Sequence, residues 1–569
     1  GAADARVLQS SRVGVRFSMG CNISEPVATA AEELTVPPLR QGLDQNSRVV
    51  IVGAGPAGIH MASRLRRRGF KNLVVLEKEP AGAYGKTHTY LHDDTGDTPH
   101  EMGTCYLSWS YKTTRKLLKE YLGDQATIVP GGDRYDGTSI VAPKTDELKG
   151  RLTATRPSDE WLYAHAEMMK LPDRPELWAF LPDKLQAVGF LVDVLKYRRL
   201  HESILGKYNY HGLPPKPGPE SLKKLDCTFA ELMKANGLKA LLDLTCVGFG
   251  SYGLGYDVPA LYGLWFVTPT AVESYLVAKI DPRVKMLEVV RDGYSALWRA
   301  MVEKDQLTVR YGASIERIDR HLDDPARAVE ICLAGGEKLE CELLVFAAPL
   351  WSQFLPLVPD ATPFEREVCT SITTVGLVVS LLRTAKKVTN ATPEGERSLT
   401  FYAESLMPEY TPEPQAAKAV YAERNSVRAY RPEREAATSQ RYSVVYQYMP
   451  HFEPDAAPAT RAAVDFITSA ELAVEPTEAT PPPDLLYQKN WDYFPHFTHE
   501  GVQKLLPWRL LEAQGENKTW YIGSSCCFES VEDVTQYNDI VLHHKLPTER
   551  SEWHRTLDAG LSKDFELTA

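Results

Sequence analysis

Residues 49–65 read VVIVGAGPAGIHMASRL. A run of β-branched residues, Val49–Val52, predicts a short buried strand. It meets Gly53-Ala-Gly55-Pro-Ala-Gly58, and a helix is expected from Pro56, with Ile59, Ala62 and Leu65 on one face. Arg66-Arg67-Arg68 and Gly69 suit its carboxyl end, where cations meet the helix dipole and glycine takes the C′ position. A second strand, Leu73–Leu76, is closed by Glu77. This is the logic of a dinucleotide site. Gly53 permits the tight turn, Gly55 lets backbone approach phosphate, and Gly58 lets helix pack on strand. Pro56 and Ala57 open a helix whose free N–H groups face the pyrophosphate. Glu77 follows Gly58 at the spacing of about 20 residues that puts a carboxylate on a ribose hydroxyl. NAD and FAD share this fingerprint, so the unit alone leaves the nucleotide open.

The remaining composition bounds the rest. The chain has 569 residues, 43% hydrophobic and 24% charged, with a formal net charge of −11 and a pI of about 5.8. The length suggests two or three domains or one interleaved unit. The acidic balance argues against nucleic acid, which needs a basic face. It leaves room for an anionic small substrate, because one local cation can dominate a cleft. No apolar run reaches the roughly 18–20 residues of a membrane span, and VGLVVSLL at 375–382 reads as a buried strand. The nine cysteines lack metal-ligand spacing, and the adjacent Cys526 and Cys527 make a poor metal or redox pair, so no metal is expected. They read mainly as buried or free thiols, with one or two disulfides left open. The chain opens on Gly1 and carries three sequons, at Asn22, Asn390 and Asn517. Together these lean weakly toward a secretory or organellar protein that has lost a targeting segment. A homo-oligomer is compatible with the sequence.

Residues 1–46 read as an irregular arm. Residues 155–245 look largely helical, with apolar faces in LPDKLQAVGFLVDVLKYRRL and TFAELMKANGLKALLDL. A Gly- and aromatic-rich stretch, VGFGSYGLGYDVPALYGLWFV, follows at 247–267. Strand signals return in LTVRYGASIERIDR (307–320), LECELLVFAAPL (339–350) and RYSVVYQYMP (441–450). The Pro-, Ala- and Glu-rich segments 391–440 and 453–485 predict surface loops with one helix near ATRAAVDFITSAELA.

Several segments resemble the flavin-binding parts of amine-oxidase-type flavoproteins. KEPAGAYGKTHTY resembles their second Gly-rich turn, with Tyr84-Gly85 before Lys86 where the family has a glycine pair. EMG at 101–103 resembles the next strand and turn, VRYGASIERI the strands that flank the adenine, and LLVFAAPL the strand that recrosses the sheet. TWYIGSSCCFESVEDVTQYNDIVL (519–542) resembles the terminal motif, in which a strand ends at Gly523 and a helix N-terminus points at the isoalloxazine. Ser524 stands where the family often has an acid. The resemblance implies non-covalent FAD held by Gly53, Gly55, Pro56, Ala57, Gly58, Glu77, Lys78, Gly85, Lys86, Thr87, Met102, Gly103, Ile315, Gly523, Ser524, Glu532, Asp533 and Val534. It also implies an α/β fold: a Rossmann-like FAD-binding domain of the amine-oxidase/glutathione-reductase type, with an interleaved substrate domain of mixed sheet plus helical part. Residues 47–125, 285–355 and 510–550 would form the discontinuous FAD domain. Residues 126–284 would form a mainly helical cap, 356–509 the substrate-domain strands and loops, and 551–569 a tail.

With FGSYGLGYDVPALYGLWF, WDYFPHFTHEG (491–501) and FESVEDVTQYNDIV added, the pattern resembles the polyenoic fatty acid isomerases. These FAD enzymes turn methylene-interrupted double bonds into conjugated ones. The resemblance implies a redox-neutral shuttle, with hydride leaving a bis-allylic carbon for flavin N5 and returning at another carbon. Such chemistry needs an apolar tunnel, a carboxylate clamp and electron-rich faces near the cation. Phe249, Tyr252, Tyr256 and Trp265 can supply aromatic faces, each worth about 0.5–2 kcal/mol toward a cation. Trp491 and His496 are placed to reach the ring or substrate, and Arg134 is the candidate clamp because its fork matches a carboxylate. Phe249, Tyr252, Tyr256, Trp491 and His496 are thus the candidate catalytic residues, and Arg134 and Trp265 the candidate substrate ligands. The alternative on the same fold is an oxidase or dehydrogenase of amines or amino acids; a flavin-binding protein without turnover is a third.

Overall fold

The structure is a computed structural model. It describes residues 43–128, 139–142, 183–208, 211–238, 241–242, 258–273, 287–324, 326–384, 399–403, 418–424, 441–449, 451–474 and 482–546. The opening unit forms as its sequence predicts: β1 is Val49–Val52, α1 is Pro56–Arg67 and β2 is Leu73–Leu76. All four residues of β1 are buried. A strand buried on both faces belongs in the middle of a parallel sheet, and β1 pairs in parallel with β2 on one side and with Leu343–Phe346 (β13) on the other. Val309–Arg310 (β9) extends the sheet beyond β2, and Thr519–Tyr521 (β19) extends it beyond β13. The order β19-β13-β1-β2-β9 assembles strands from both ends of the chain.

Helix α1 packs on β1 and β2, and also against Tyr294–Lys304 (α6) and Val531–Lys545 (α8). Lys112–Leu122 (α2) touches both of those helices. A separate antiparallel sheet follows β9: Ile315–Asp319 (β10), Val329–Leu333 (β11) and Lys338–Cys341 (β12). The stretch 307–320, whose resemblance implies a pair of strands, is two strands in different sheets, broken at the turn before Ile315. The stretch 339–350 divides between β12, the end of the hairpin-like segment, and β13, the strand that recrosses the sheet.

The second body is a six-stranded sheet in the order β18-β14-β17-β16-β15-β7. Its strands are Ser139–Ala142 (β7), Ile372–Thr384 (β14), Leu399–Ala403 (β15), Lys418–Arg424 (β16), Arg441–Met449 (β17) and Asp484–Phe497 (β18). Only β15 and β7 pair in parallel; the other pairs are antiparallel. Two of these strands, β15 and β16, fall inside the segment that reads as loop, because they lack a strong period and gain their structure from cross-strand pairing. Ala457–Val474 (α7) covers one face, where Val378, Met449 and Ala459 form a small cluster. Two small sheets join these bodies. Thr89–Leu91 (β3) pairs with Pro99–Glu101 (β4), while Tyr106–Ser108 (β5) and Thr127–Ile128 (β6) flank Leu287–Val290 (β8).

The helical middle is described in part, as Asp183–Leu205 (α3), Phe229–Ala235 (α4) and Ala260–Phe266 (α5). A Thr228/Glu231 capping box starts α4. Gly263, in the Gly-rich stretch, is required for packing: a Cβ there would lie 2.0 Å from the Phe229 ring. Among the described residues no helix is long and apolar enough to cross a membrane. Seven described cysteines are free thiols. Of the sequons, only Asn517 is described. It is half-buried, and its Nδ2 donates to Glu365 at 2.9 Å.

Candidate cofactor and active-site cleft

A cleft of about 920 Å³ opens where β1, β2, β13 and β19 end. Ligands of open α/β sheets bind in this place, outside the carboxyl ends of the strands. Its floor is bare backbone. Gly53 holds φ +105°, a conformation that favours glycine. A Cβ on Gly58 would lie 1.9 Å from the Gly53 carbonyl oxygen, so only glycine lets α1 start this close to the turn. The second turn meets the first: a Cβ on Gly85 would come within 3.4 Å of the Gly55 Cα. The N-cap of α1, Gly55, has no side-chain cap. The first N–H groups of the helix are therefore left for an anion.

Glu77 lines this floor and is almost buried. It accepts from the Ala54 N–H at 2.8 Å and from the Glu79 N–H at 3.0 Å, which fixes the carboxylate at the end of β2. Lys78 and Ile315 line the same end. Tyr84, where the resemblance expects glycine, turns its ring into the core, and burial raises its hydroxyl pKa. Gly85 keeps the turn at φ +58°. The loop is laced to its neighbour: Thr87 Oγ1 donates to the Tyr84 carbonyl, and the Met102 N–H donates to the His88 carbonyl at 2.8 Å. Gly103 lies beneath Lys86, whose carbonyl oxygen would sit 2.0 Å from a Cβ there.

The terminal motif closes the other side. Gly523, Ser524 and Ser525 follow β19 into the cleft, and Val531 and Val534 line it from α8. Ser530 caps α8 by accepting from the Asp533 N–H at 3.0 Å. The N–H groups of Val531 and Glu532 have no acceptor among the described residues. A second helix N-terminus therefore faces the cleft, an arrangement that stabilises negative charge. The side chains of Glu532 and Asp533 turn away. Glu532 accepts from the N–H groups of Thr113 and Thr114, each at 2.8 Å, and so caps α2. Asp533 has no exposed surface and accepts from the Gly212 N–H at 2.9 Å and the Trp265 Nε1–H at 2.9 Å. His211 Nδ1 lies 3.0 Å from its other oxygen. Asp533 outweighs the burial that would keep His211 neutral, and the His211 pKa is raised.

The wall beyond the glycine turns is aromatic and comes from β18. Tyr487, Lys489 and Trp491 alternate onto one face and line the cleft beside Trp351. Trp491 Nε1 donates to the Met102 carbonyl. His88 Nε2 lies 2.9 Å from the Tyr487 hydroxyl, and burial, with the nearby Lys489 charge, pushes the His88 pKa down to about 4. The strand is bulged: Thr373 pairs with His496 but Val375 pairs with Tyr493. Phe494, in that bulge, is left-handed at φ +49°, a costly state for an aromatic residue. Its N–H donates to Glu529 Oε2 at 2.8 Å, and Lys86 Nζ donates to the same oxygen at 2.8 Å. Glu529 thus ties the bulge to the second glycine turn.

The structure brings most of the expected residues to one place. Gly53, Gly55, Pro56, Ala57, Glu77, Lys78, Gly85, Lys86, Thr87, Ile315, Gly523, Ser524, Val534 and Trp491 all line the cleft. Gly58, Met102 and Gly103 support it from behind. Trp265 and His496 lie in the core next to it. Trp265 stacks on Tyr262, with ring centres 5.6 Å apart. His496 Nδ1 bonds the Phe494 carbonyl oxygen at 2.8 Å, and burial lowers its pKa to about 4. Arg134, Phe249, Tyr252 and Tyr256 fall outside the described residues. Glu529, Trp351, Tyr487 and Lys489 were not expected. The alternation of YQKNW was the one legible signal for the last two.

A sequence profile of flavin containing amine oxidoreductases matches residues 56–433. None of the curated proteins matches the chain by sequence. The crystal structure of a CLA-producing fatty acid isomerase from P. acnes superposes with a TM-score of 0.62 at 20% identity, covering 88% of this chain and 99% of that one. Wild-type putrescine oxidase bound to putrescine superposes with a TM-score of 0.56 at 12% identity, covering 91% and 99%. At these identities the likeness is one of fold. The glycine floor, the two helix N-termini and Glu77 suit a dinucleotide, and the profile takes in Gly58, Glu77 and the second glycine turn. The chain belongs to the family of flavin containing amine oxidoreductases.

Proposed function

We propose that this protein is an FAD-dependent isomerase that converts the methylene-interrupted double bonds of polyunsaturated fatty acids into conjugated ones. The observation that carries the reading is the character of the β18 wall. It offers aromatic faces and a cation, and among the described residues its acids already accept hydrogen bonds, Asp492 through one oxygen with its buried Oδ1 unpartnered. Of its polar groups, Asp492 accepts from Trp351 Nε1 at 2.5 Å and Glu529 is held by Lys86 and the Phe494 N–H. His88 is neutral across the physiological range. A cationic amine would call for free carboxylates here, whereas an apolar chain with an anionic head suits rings and a lysine. The likeness in fold to a fatty acid isomerase supports the same reading.

A non-covalently bound FAD supplies reversible two-electron chemistry, so hydrogen removed with its electron pair at a bis-allylic carbon can return at another carbon. The chain's own residues do the rest. The two helix N-termini and Glu77 hold and orient the dinucleotide. Trp491, fixed by its bond to Met102, presents a ring to the electron-poor carbon chain, a contact worth about 0.5–2 kcal/mol. Phe249, Tyr252 and Tyr256 add faces from the Gly-rich stretch in this reading. No general base is needed.

The test is to mix the purified protein with a methylene-interrupted fatty acid, with and without oxygen, and to record ultraviolet absorbance and peroxide. Equal growth of conjugated-diene bands in both, without peroxide, is expected. Peroxide from a panel of amines, with no conjugation, would replace the reading with an amine oxidase.

A further inference from the structure

Lys489 stands apart from the other cations of the cleft. Lys86 is paired with Glu529 at 2.8 Å, and Lys78 sits beside Glu77 on the nucleotide side. Lys489 has no carboxylate within ion-pair distance among the described residues. Its ammonium lies 5.5 Å from the centre of the Trp491 ring. Register places it on the cleft face of β18: Tyr487, Lys489 and Trp491 stand opposite Leu381, Val379 and Leu377 of β14. The intervening Gln488 faces the other way, to Thr460 of α7. Around the cation, Tyr487 stacks on Tyr90 with ring centres 3.9 Å apart and planes 5° apart. His88 stacks on Tyr487 at 5.8 Å. A half-buried ammonium, framed by rings and without a counter-ion among the described residues, is a receptor for an anionic group borne on an apolar body.

We propose that Lys489 binds the carboxylate head of the fatty acid. The inference rests on the isomerase reading and adds to it the residue that selects the free acid. It moves the clamp from Arg134 to the β18 wall. The other source of the same chemistry is a phosphate of the cofactor.

The test uses the FAD-loaded protein, Lys489→Met, Lys489→Arg and Arg134→Met. A fatty acid and its methyl ester are titrated in turn while the flavin absorbance is followed, and FAD affinity is measured separately by fluorescence. Lys489→Met is expected to weaken binding of the acid by roughly 10–100-fold, the range of one charged hydrogen bond. Ester and FAD affinities stay as in the parent, and Lys489→Arg restores the acid. Equal loss of acid and ester overturns the proposal, because the lysine then only packs. Lost FAD affinity with fatty acid binding intact overturns it in favour of the cofactor phosphate. Loss of acid preference in Arg134→Met alone overturns it in favour of Arg134. If the parent protein neither binds nor conjugates the fatty acid, it is the isomerase reading that has failed.

Discussion

Asp533 sits at the start of α8 with no exposed surface, and its two oxygens serve four partners. One oxygen accepts from the Gly212 N–H and Trp265 Nε1–H, each at 2.9 Å. The other faces His211 Nδ1 at 3.0 Å and accepts from the Ser530 hydroxyl. Asp533→Ala would strand a buried imidazolium and two buried N–H donors. Losing one partner of a buried ion pair costs about 3–5 kcal/mol, a large share of the roughly 5–15 kcal/mol that holds a typical protein folded. Asp533→Asn keeps an oxygen for Gly212 and Trp265, and its Nδ2 can donate to Nδ1 of a neutral His211, so it should cost less, about 1.5–3 kcal/mol at pH 6. The pH dependence separates the charge from the shape. Burial favours neutral His211, but Asp533 prevails and the folded pKa lies above the ordinary value of 6.5. Stability from the imidazolium is therefore complete below about 6.5 and is lost as pH rises through the folded pKa. Denaturant unfolding of parent and Asp533→Asn, followed by circular dichroism from pH 6 to 9, should show a gap that narrows as pH rises. A gap that widens, or an Asp533→Ala protein as stable as the parent, would refute the argument.

Three further outcomes are expected. Glu77→Ala removes the acceptor for two backbone N–H groups at the cleft floor; FAD affinity by fluorescence titration should fall roughly 10–100-fold, and an unchanged affinity would mean that Glu77 does not meet the cofactor. Gly58→Ala places a methyl 1.9 Å from the Gly53 oxygen, so purified protein should be colourless or insoluble; full flavin content would show that the turn can shift. Burial resists ionisation of Glu365, but Arg320 and Tyr521 hold its pKa down to about 2. Its stabilising effect is therefore present above about 4.5 and lost as pH falls toward 2. Glu365→Gln should flatten the acid limb of the unfolding profile and lower stability at pH 7 by about 3–5 kcal/mol; an acid limb as steep as the parent's would count against the pairing.

The nucleotide end of the cleft was legible because its information is local. Val49–Val52, the three glycines and Glu77 lie within one βαβ unit, and each answers a need that neighbours in sequence impose. The terminal motif was legible as a strand, a glycine and a helix start. The roles of Glu532 and Asp533 were not, because their partners, Thr113, Thr114, His211, Gly212 and Trp265, lie hundreds of residues away. Trp265 and His496 look like site residues in sequence, since aromatic and imidazole side chains serve core and cleft alike. Only the packing of α5 against β18 places them behind the wall. Strands β15 and β16 were read as loop because cross-strand pairing, and not a local period, makes them.

The sequence by itself determined a dinucleotide-binding α/β domain, its first strand to the residue, the helix that follows it, and the carboxylate that ends its second strand. These follow from steric and hydrogen-bonding demands acting within about thirty residues. The tertiary structure decided the substrate side. The bulge at Phe494, the tie of Glu529 to Lys86, and the placing of Lys489 beside the Trp491 ring arise when β18 pairs with β14 and meets the glycine turns. Side chains far apart in sequence gain a common environment only through that contact, and no spacing along the chain encodes it.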